Sequence, residues 1–318
     1  MGITIQDIVY VRYQAPDLDI MQSFLEDFGL KLSARTERAL YMRGTSSTPH
    51  IHITELGTKP TALGLGLLAP SYAALEDLAS ETGAKIEETG EPGGGVCIRL
   101  TDPAGMRVEV LFGQDKLQEL THRAALTMNP AMPRARFGDV QRPMAGPSHV
   151  VRLGHTVIHT PHFRETMDYY QKMFGMRPSD TYYAGQKENM IGAFLHCGLD
   201  KTYTDHHTIA ILAGEPTGFD HCAFEVVDFD DLMLGNQYLL EKNHSHSWGV
   251  GRHVAGSQIF DYWRDPFDNK IEHWTDGDLV NDDYEPVHTE VGPSTLAQWG
   301  PPLEFESFAK LSRFSYED

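Results

Sequence analysis

The chain contains an internal repeat, which limits its possible folds to those built from duplicated units. Residues 8–30, IVYVRYQAPDLDIMQSFLEDFGL, resemble residues 153–176, LGHTVIHTPHFRETMDYYQKMFGM. Each stretch predicts a strand, a proline-containing helix start, an amphipathic helix and a closing Phe-Gly. Gly29 and Gly175 suit a left-handed helix end, and Thr160 is the predicted N-cap of the second copy. A strand followed by a helix therefore opens both halves of the chain.

A second pair of segments extends the repeat. Residues 63–113 and 219–277 each predict a strand, a helix (around 71–83 and 228–242) and then a hairpin-like pair of strands around an Asp-Pro turn. The order along the chain is thus module A, module B, then A again and B again. Each module has a strand, a helix and two or three further strands. This order predicts an α+β protein with four modules paired into two domains.

Composition shifts mark the boundaries between these parts. The segment between the halves, which includes TMNPAMPRARFGDVQRPMAGP, is rich in proline and small residues and is typical of a linker. The last stretch is acidic and proline-containing, with a few aromatics that could let it fold back over the second half as a lid. Those aromatics are Trp299, Phe305 and Phe308. We predict a structural domain at residues 1–113, a linker at 114–148, a catalytic domain at 149–277 and a tail at 278–318.

The bulk composition excludes several classes of function. The 318 residues carry a net charge of −19, which disfavours nucleic-acid binding because that needs a basic surface. The three cysteines are scattered without a pairing pattern, so a reducing cytoplasm is expected. We find neither a signal peptide nor an apolar run long enough to span a membrane.

The most informative local sequence is a predicted hairpin at residues 258–274, QIFDYWRDPFDNKIEHW. Its turn contains Pro and Asn, which favour turns. If the hairpin is centred on Phe267, Tyr262 and Glu272 lie opposite each other on adjacent strands. They then share one face of the sheet.

Glu272 lies among apolar residues, where an unpaired carboxylate would cost several kcal/mol. A divalent metal is one partner that could stabilise it. His155 and His221 each begin a strand-like run, so two imidazoles are available to complete a site. Two histidines and one carboxylate, with positions left open, form the facial arrangement of non-haem Fe(II) oxygenases.

The repeat allows the two halves to be compared at this site. Alignment of the Asp-Pro turns places Glu109 where Glu272 lies. The two histidine positions correspond to Val9 or Tyr10 and to Gly64 or Leu65. None of these four residues provides a histidine-like ligand, and one carboxylate alone does not hold a catalytic metal. We therefore predict that the second domain alone carries the metal.

Four motifs together resemble a known family. They are LGHTVIHTP, DHHTIAIL, FDHCAFEV and HSWGVGRHVAGSQIFDYWRDPFDNKIEHW. This ordered set is similar to the two-domain, type I extradiol ring-cleaving dioxygenases of the vicinal-oxygen-chelate superfamily. The resemblance is weak over residues 8–113 and strong over 153–277. One departure is the turn after Phe267, where a glycine is commoner; Asn also tolerates a positive φ.

The resemblance implies a reaction and a set of roles. The activity would be extradiol cleavage of a substituted catechol with O₂, which gives a muconic semialdehyde-type product. A homo-oligomer of four or more subunits is also implied. The metal would be Fe(II), or occasionally Mn(II). The implied metal ligands are His155, His221 and Glu272; the acid–base residue is His207, with His206 as the alternative; the residues that touch substrate or oxygen are His253 and Tyr262.

Two other functions stay open at this stage. One is a different metalloenzyme of the same superfamily, for example of the glyoxalase type. The other is a non-catalytic protein of this fold that binds a small aromatic molecule. The substituent on the catechol ring and the position of cleavage are not indicated by the sequence.

Overall fold

The computed structural model of the chain describes residues 2–215, 217–292 and 294–303. The structure is organised around two large sheets, and each is built from one half of the repeat. Phe305 and Phe308, which we named in the predicted tail, lie outside the described residues.

The first sheet has eight strands, and two helices belong to the same half. The strands are β1 (Ile8–Ala15), β2 (Lys31–Arg35), β3 (Ala39–Arg43), β4 (His52–Leu56), β5 (Thr61–Leu68), β6 (Glu87–Glu88), β7 (Val96–Thr101) and β8 (Arg107–Phe112). The helices are α1 (Leu18–Phe28) and α2 (Tyr72–Thr82). The strand order is β2-β3-β4-β1-β5-β8-β7-β6, so the two modules meet through β1 and β5.

The second sheet repeats this order and adds a strand at each edge. Its strands are β9 (Val150–Thr160), β10 (Met176–Tyr183), β11 (Met190–Cys197), β13 (Ile209–Ala213), β14 (Gly218–Val226), β15 (Ser245–His253), β16 (Ile259–Arg264), β17 (Lys270–Thr275), β19 (Val287–Glu290) and β20 (Ala297–Trp299). The helices are α3 (Phe163–Phe174), α4 (Phe229–Glu241) and a short 3₁₀ turn (Ala255–Ser257). A separate two-stranded ribbon joins β12 (Thr204–Asp205) and β18 (Leu279–Val280). The strand order in the ten-stranded second sheet is β19-β10-β11-β13-β9-β14-β17-β16-β15-β20. The two modules of this half therefore meet through β9 and β14.

This architecture confirms the predicted α+β fold of four modules, each with a strand, a helix and three further strands. Three helices also begin where capping residues occur. Asp17, Ser71 and Asp228 accept hydrogen bonds from backbone N–H groups in the first turns of α1, α2 and α4. Gly29 and Gly175 have φ values of 112° and 64°, which confirms the predicted left-handed helix ends.

The predicted N-cap of α3 is wrong. Thr160 is the last residue of β9, where it is buried and pairs with Ala213. Its hydroxyl accepts a hydrogen bond from the backbone N–H of His162 (3.1 Å), and the helix begins at Phe163. Strand pairing thus holds Thr160 in an extended conformation, and α3 begins without a side-chain cap.

One hydrophobic core runs through both halves of the molecule. At its centre, the ring of Phe28 from α1 stacks on His273 from β17, with centroids 3.7 Å apart. His273 Nε2 donates a hydrogen bond to the Phe28 carbonyl (2.7 Å). Phe28 of the first half therefore packs against β17, the strand that carries Glu272.

The segments outside the two repeats differ in structure. Residues 114–148 form no helix or strand, whereas β18, β19 and β20 pair with strands of the second half. Within the described residues, no helix has the length and apolar character that crossing a membrane requires.

Candidate metal centre

The hairpin formed by β16 and β17 has the register that the sequence predicts. Tyr262 pairs directly with Glu272. The turn is held by Asp265, whose Oδ1 accepts hydrogen bonds from the N–H groups of Phe267 (2.8 Å) and Asn269 (2.9 Å). The turn residue with a positive φ is Asp268, at 72°, and Asp also tolerates this conformation. Glycine is therefore not needed in this turn.

Three adjacent central strands bring His155, His221 and Glu272 together. Because β9, β14 and β17 are neighbours, side chains far apart in sequence meet on one face of the sheet. One potential ligand atom from each residue lies within 4.8 Å of the others, the single such group among the described residues. Glu272 Oε2 is 3.3 Å from His155 Nε2 and 3.1 Å from His221 Nε2. All three side chains are buried.

The environment of Glu272 fits a bound cation. The residue is fully buried, yet among the described residues neither carboxylate oxygen has a hydrogen-bond partner. Burial alone would raise the pKa of Glu272, but His155 and His221 hold it well below its usual range. A buried ionised carboxylate with two open oxygens beside two imidazoles is a donor set that a divalent transition metal prefers.

A second carboxylate orients one of these histidines. Asp220 Oδ2 lies 2.6 Å from His221 Nδ1, so Nδ1–H donates to Asp220 and Nε2 keeps its lone pair for the site. The ammonium of fully buried Lys270 contacts the same carboxylate at 3.0 Å and pairs across strands with His221. Burial would raise the pKa of Asp220, but Lys270 and His221 keep it far below its ordinary value. Our sequence analysis missed both residues, because each acts through a partner that strand pairing brings near.

The two adjacent histidines after β12 occupy different places. The ring of His207 lies 4.2 Å from that of His155, whereas His206 points away and contacts Asp180 through Nε2 (3.0 Å). The Nδ1 atoms of the two histidines are 3.1 Å apart. Burial, followed by the neighbouring His155 and His206, keeps the pKa of His207 well below its usual value. The structure thus brings His207 to the metal centre, with His206 directly behind it.

This chain of contacts determines the tautomer of His207. Since a carboxylate only accepts, His206 donates from Nε2 to Asp180, and an uncharged imidazole that donates at Nε2 accepts at Nδ1. His207 must therefore donate from its own Nδ1, which leaves its Nε2 unprotonated. Among the described residues, nothing hydrogen-bonds to that Nε2. Asp180 is a further site residue that sequence reasoning missed.

Tyr262 and His253 form the opposite wall of the centre. His253 Nδ1 donates to the Leu296 carbonyl (2.9 Å), so its Nε2 accepts the hydroxyl hydrogen of Tyr262 (2.9 Å). The ring of Tyr262 is 5.1 Å from that of His221, and His253 Nε2 is 3.7 Å from Glu272 Oε1. Burial and the Glu272 carboxylate raise the pKa of Tyr262 well above its usual value. All six residues that we selected from the sequence therefore lie together.

The position in the first sheet that corresponds to the candidate metal centre contains different residue types. His155, Ala223 and Glu272 are matched across strands in the second sheet, and Tyr10, Gly66 and Glu109 are matched in the same way in the first. By the same register, Gly64 takes the place of His221, and Arg99 that of Tyr262. Tyr10 and Gly64 are thus the two counterparts that the sequence left undecided.

Arginines surround Glu109 where the second sheet has histidines. Tyr10 donates its hydroxyl to Glu109 Oε2 at 2.9 Å, and Arg12 Nε reaches the same atom at 3.1 Å. Arg99 (2.9 Å) and Arg107 (2.5 Å) contact Oε1. Burial opposes ionisation, but these guanidinium groups lower the pKa of Glu109 to about 2. Glu109 is therefore fully paired without a metal.

Comparison with known proteins agrees with this division. Residues 152–273, which lie in the second half of the chain, match the Glyoxalase/Bleomycin resistance protein/Dioxygenase superfamily. The whole chain has the vicinal-oxygen-chelate fold in its two-domain form.

Individual relatives cover nearly the full length. Metapyrocatechase 2 of Cupriavidus necator is 27% identical over 301 residues, which are 93% of this chain and 89% of the relative. The homoprotocatechuate 2,3-dioxygenase of Brevibacterium fuscum, solved with 3,4-dihydroxyphenylacetate, has a TM-score of 0.81 at 19% identity and covers 98% of this chain and 93% of its own. A Mn(II)-bound glyoxalase from Novosphingobium aromaticivorans has a TM-score of 0.76 at 24% identity, with 93% and 91% covered. The two structural likenesses show a shared fold.

Proposed function

We propose that this protein is an extradiol dioxygenase that cleaves the ring of a substituted catechol with O₂ at a single non-haem Fe(II) centre. The observation that carries the proposal is the convergence of His155, His221 and Glu272, with both oxygens of Glu272 open. An acid–base candidate, His207, lies against this group. The relative named metapyrocatechase, which aligns over nearly the whole chain, supports the same activity.

The residues at the centre divide into ligands and supports. His155, His221 and Glu272 would hold the metal through two neutral nitrogens and one carboxylate, which leaves positions open for substrate and oxygen. When bound, the Fe(II) ion brings catechol and O₂ together and relays an electron between them. Asp220 keeps His221 in the tautomer with Nε2 free, and Lys270 balances the charge of Asp220.

His207 is the proposed acid–base residue. Its unprotonated Nε2 can accept the proton of a catechol hydroxyl as substrate binds, and it can return that proton while the ring opens. The low pKa that burial gives the free imidazole keeps it neutral, and therefore ready to accept, before substrate arrives. His206 and Asp180 fix the orientation of the ring from behind.

Tyr262 and His253 are the proposed contacts to substrate or oxygen. The hydroxyl hydrogen of Tyr262 points to His253 Nε2, and the phenolic oxygen is of a type that also accepts hydrogen bonds. Once His253 is protonated, its Nε2–H would donate to Tyr262, and the Tyr262 hydroxyl could then donate into the site. The pair can thus reverse its hydrogen bonds as charge develops during the reaction.

The finer assignments also belong to the proposal. We favour Fe(II), with Mn(II) as the alternative, since the donor set accepts either ion. We infer a cytoplasmic location, because Cys97, Cys197 and Cys222 are all buried free thiols. We also propose residues 1–113 as a metal-free domain and residues 149–277 as the catalytic domain.

A pair of matched variants tests the metal assignment. We expect Glu272→Gln to remove iron and ring-cleaving activity together, because the amide cannot replace the anionic ligand. Glu109→Gln, at the corresponding place in the first sheet, should retain about one iron per chain and near-normal turnover. Metal analysis of the purified variants and a colour assay with alkyl-, aryl- and carboxy-catechols measure both results. Equal metal loss in the two variants would contradict the proposal.

A further inference from the structure

A row of apolar side chains lies beside the candidate metal centre, on the same face of the second sheet. Val157 on β9 pairs with Ala210 on β13, and Ala210 pairs with Phe194 on β11. Val157 also pairs with His221 on β14. Because the side chains of paired residues point to the same face of a sheet, these three residues continue the row that His221 begins. We call Val157, Ala210 and Phe194 the apolar strip.

The apolar strip does not belong to the hydrophobic core. Val157 and Ala210 are buried, with exposed fractions of 4% and 0%. Their neighbours Ile158 and Ile211 pack in the core, whereas these two side chains do not. Phe194 is half-buried and is also separate from the core. The strip therefore faces the side of the sheet that carries the metal centre, and a row of apolar groups in such a place is typical of a ligand site.

The strip also contacts the proposed acid–base residue. The ring of Phe194 packs edge-on against that of His207, with centroids 5.0 Å apart. His207 in turn lies against the metal-site residue His155. A catechol that gives its hydroxyl proton to His207 would therefore place one edge of its ring next to Phe194. A substituent on that edge would lie along the strip.

The charges around the strip do not suit an anionic substituent. Asp180 places a carboxylate at the far end of the strip, on the neighbouring strand β10. The two cations on this face of β16 and β17 are already engaged by the protein. Lys270 contacts the carboxylate of Asp220 at 3.0 Å, and Arg264 donates to the carbonyl of Asp268 at 3.0 Å. A substrate carboxylate buried here would gain no ion pair from these groups, and burial without one is unfavourable.

We propose that the apolar strip selects catechols with a neutral apolar substituent, alkyl or aryl, over catechols that carry a carboxylate. This inference rests on the proposed ring-cleaving function and assigns the substrate class of that same site. Val157 and Phe194 would contact the substituent from two sides, and the small side chain of Ala210 between them would leave room for it. Contact with the strip removes apolar surface from water, which favours an alkyl or aryl group and disfavours a charged one.

The first test compares substituents on one preparation of the full chain loaded with iron. The substrates are catechol and its propyl, phenyl and carboxy derivatives, each substituted next to a hydroxyl or one position further away. The measured quantity is kcat/KM for ring cleavage under air. We expect the best propyl or phenyl compound to exceed both carboxylated compounds about 100-fold or more. A carboxylated catechol that is cleaved as well as these would overturn the inference and leave the proposed function intact. Absence of cleavage with every compound would overturn both.

The second test changes the strip itself. Ala210→Val fills the middle of the strip and should lower the ratio of kcat/KM for propylcatechol to that for unsubstituted catechol about 10-fold or more. Ile211→Val, the neighbouring change on the core side of the same strand, should leave this ratio unchanged. Because both substrates are measured on one preparation, the fraction of folded, iron-loaded chain cancels from the ratio.

A second strip variant keeps the test decisive if Ala210→Val does not fold. Phe194→Leu retains an apolar side chain of smaller area and should lower the ratio of kcat/KM for phenylcatechol to that for unsubstituted catechol. Unchanged ratios in the strip variants that fold, or an equal fall in Ile211→Val, would overturn the assignment of substrate selection to the strip.

Discussion

His206 and His207 are adjacent in sequence but differ in what their rings can do. His206 is held between Asp180 and His207, so both of its nitrogens are engaged. His207 uses one nitrogen for that contact and directs its ring toward His155. Only the arrangement of His207 leaves a ring nitrogen, Nε2, that could accept a proton from a substrate. The two residues are adjacent, yet the hydrogen bonds among the described residues engage both ring nitrogens of His206 and only one of His207.

Replacing His207 separates proton transfer from metal binding. We expect His207→Phe to retain near-normal iron and to bind catechol, because the three ligands are untouched. Turnover should fall about 10²–10⁴-fold, the usual contribution of one positioned acid–base group. His206→Asn is the matched variant: it should keep iron and lose less activity, since the base itself remains. Single-turnover kinetics with metal analysis measure both effects. Loss of iron from His207→Phe would instead make His207 a ligand.

The sequence predicts individual site residues better than it predicts their supports. His155, His221 and Glu272 could be selected because few residue types bind transition metals. Asp180 and Lys270 could not, because each matters only through a partner that strand pairing brings near. Lys270, for example, meets Asp220 from 50 residues away. Such contacts depend on sheet order, which a single sequence specifies only indirectly.

At the scale of elements, short-range turn chemistry proved a reliable guide. The register of β16 and β17 followed from a symmetric turn, and helix ends followed from Gly29 and Gly175. Thr160 shows where this reasoning fails. Its side chain suits a cap, but pairing with Ala213 in the middle of the second sheet extends the strand through it. Strand pairing therefore outweighed the local preference of threonine for a helix N-cap position.

The central strand β8 offers a test of pH dependence. The folded-state pKa of Glu109 is about 2, against an ordinary value of 4.5. The resulting stability is fully present above about pH 4.5 and is lost as pH falls toward 2. A shift of this size corresponds to about 3 kcal/mol. Glu109→Gln should therefore unfold more easily in urea at pH 7, with a difference that shrinks toward pH 2. Glu87→Gln, an exposed partner of Arg99, should change stability little. A constant difference at both pH values would contradict this account.

At the scale of the whole molecule, the two halves share one core. The N-terminal residues also join them: the Ile3 and Ile5 N–H groups donate to the carbonyls of Met173 and Phe174 at the end of α3 (2.9 and 3.2 Å). The Tyr13 ring packs edge-on against Phe219 at 5.6 Å, and Phe219 belongs to β14, the strand that carries His221. The first half thus packs directly against the elements that carry the candidate metal centre.

Removing the ring of Phe28 should show that the stability of the two halves is coupled. Phe28→Ala leaves a cavity behind His273 and should cost about 3–5 kcal/mol. We expect one cooperative unfolding transition, because the core is continuous, together with weaker iron retention. Ile20→Ala, at an exposed position of the same helix, is the control and should have little effect. Denaturation followed by fluorescence, with iron content measured in parallel, gives both readouts. A Phe28→Ala chain whose second half unfolds as before would show that the halves are independent.

The guanidinium groups around Glu109 have a consequence for the newly synthesised chain before it binds a metal ion. A newly made chain has one half whose buried carboxylate is already neutralised by its own arginines. The first half therefore needs no metal to compensate its buried carboxylate. It then holds the empty second half in shape through their common interior. A chain without its metal would therefore keep its fold and be ready to bind the ion when it becomes available.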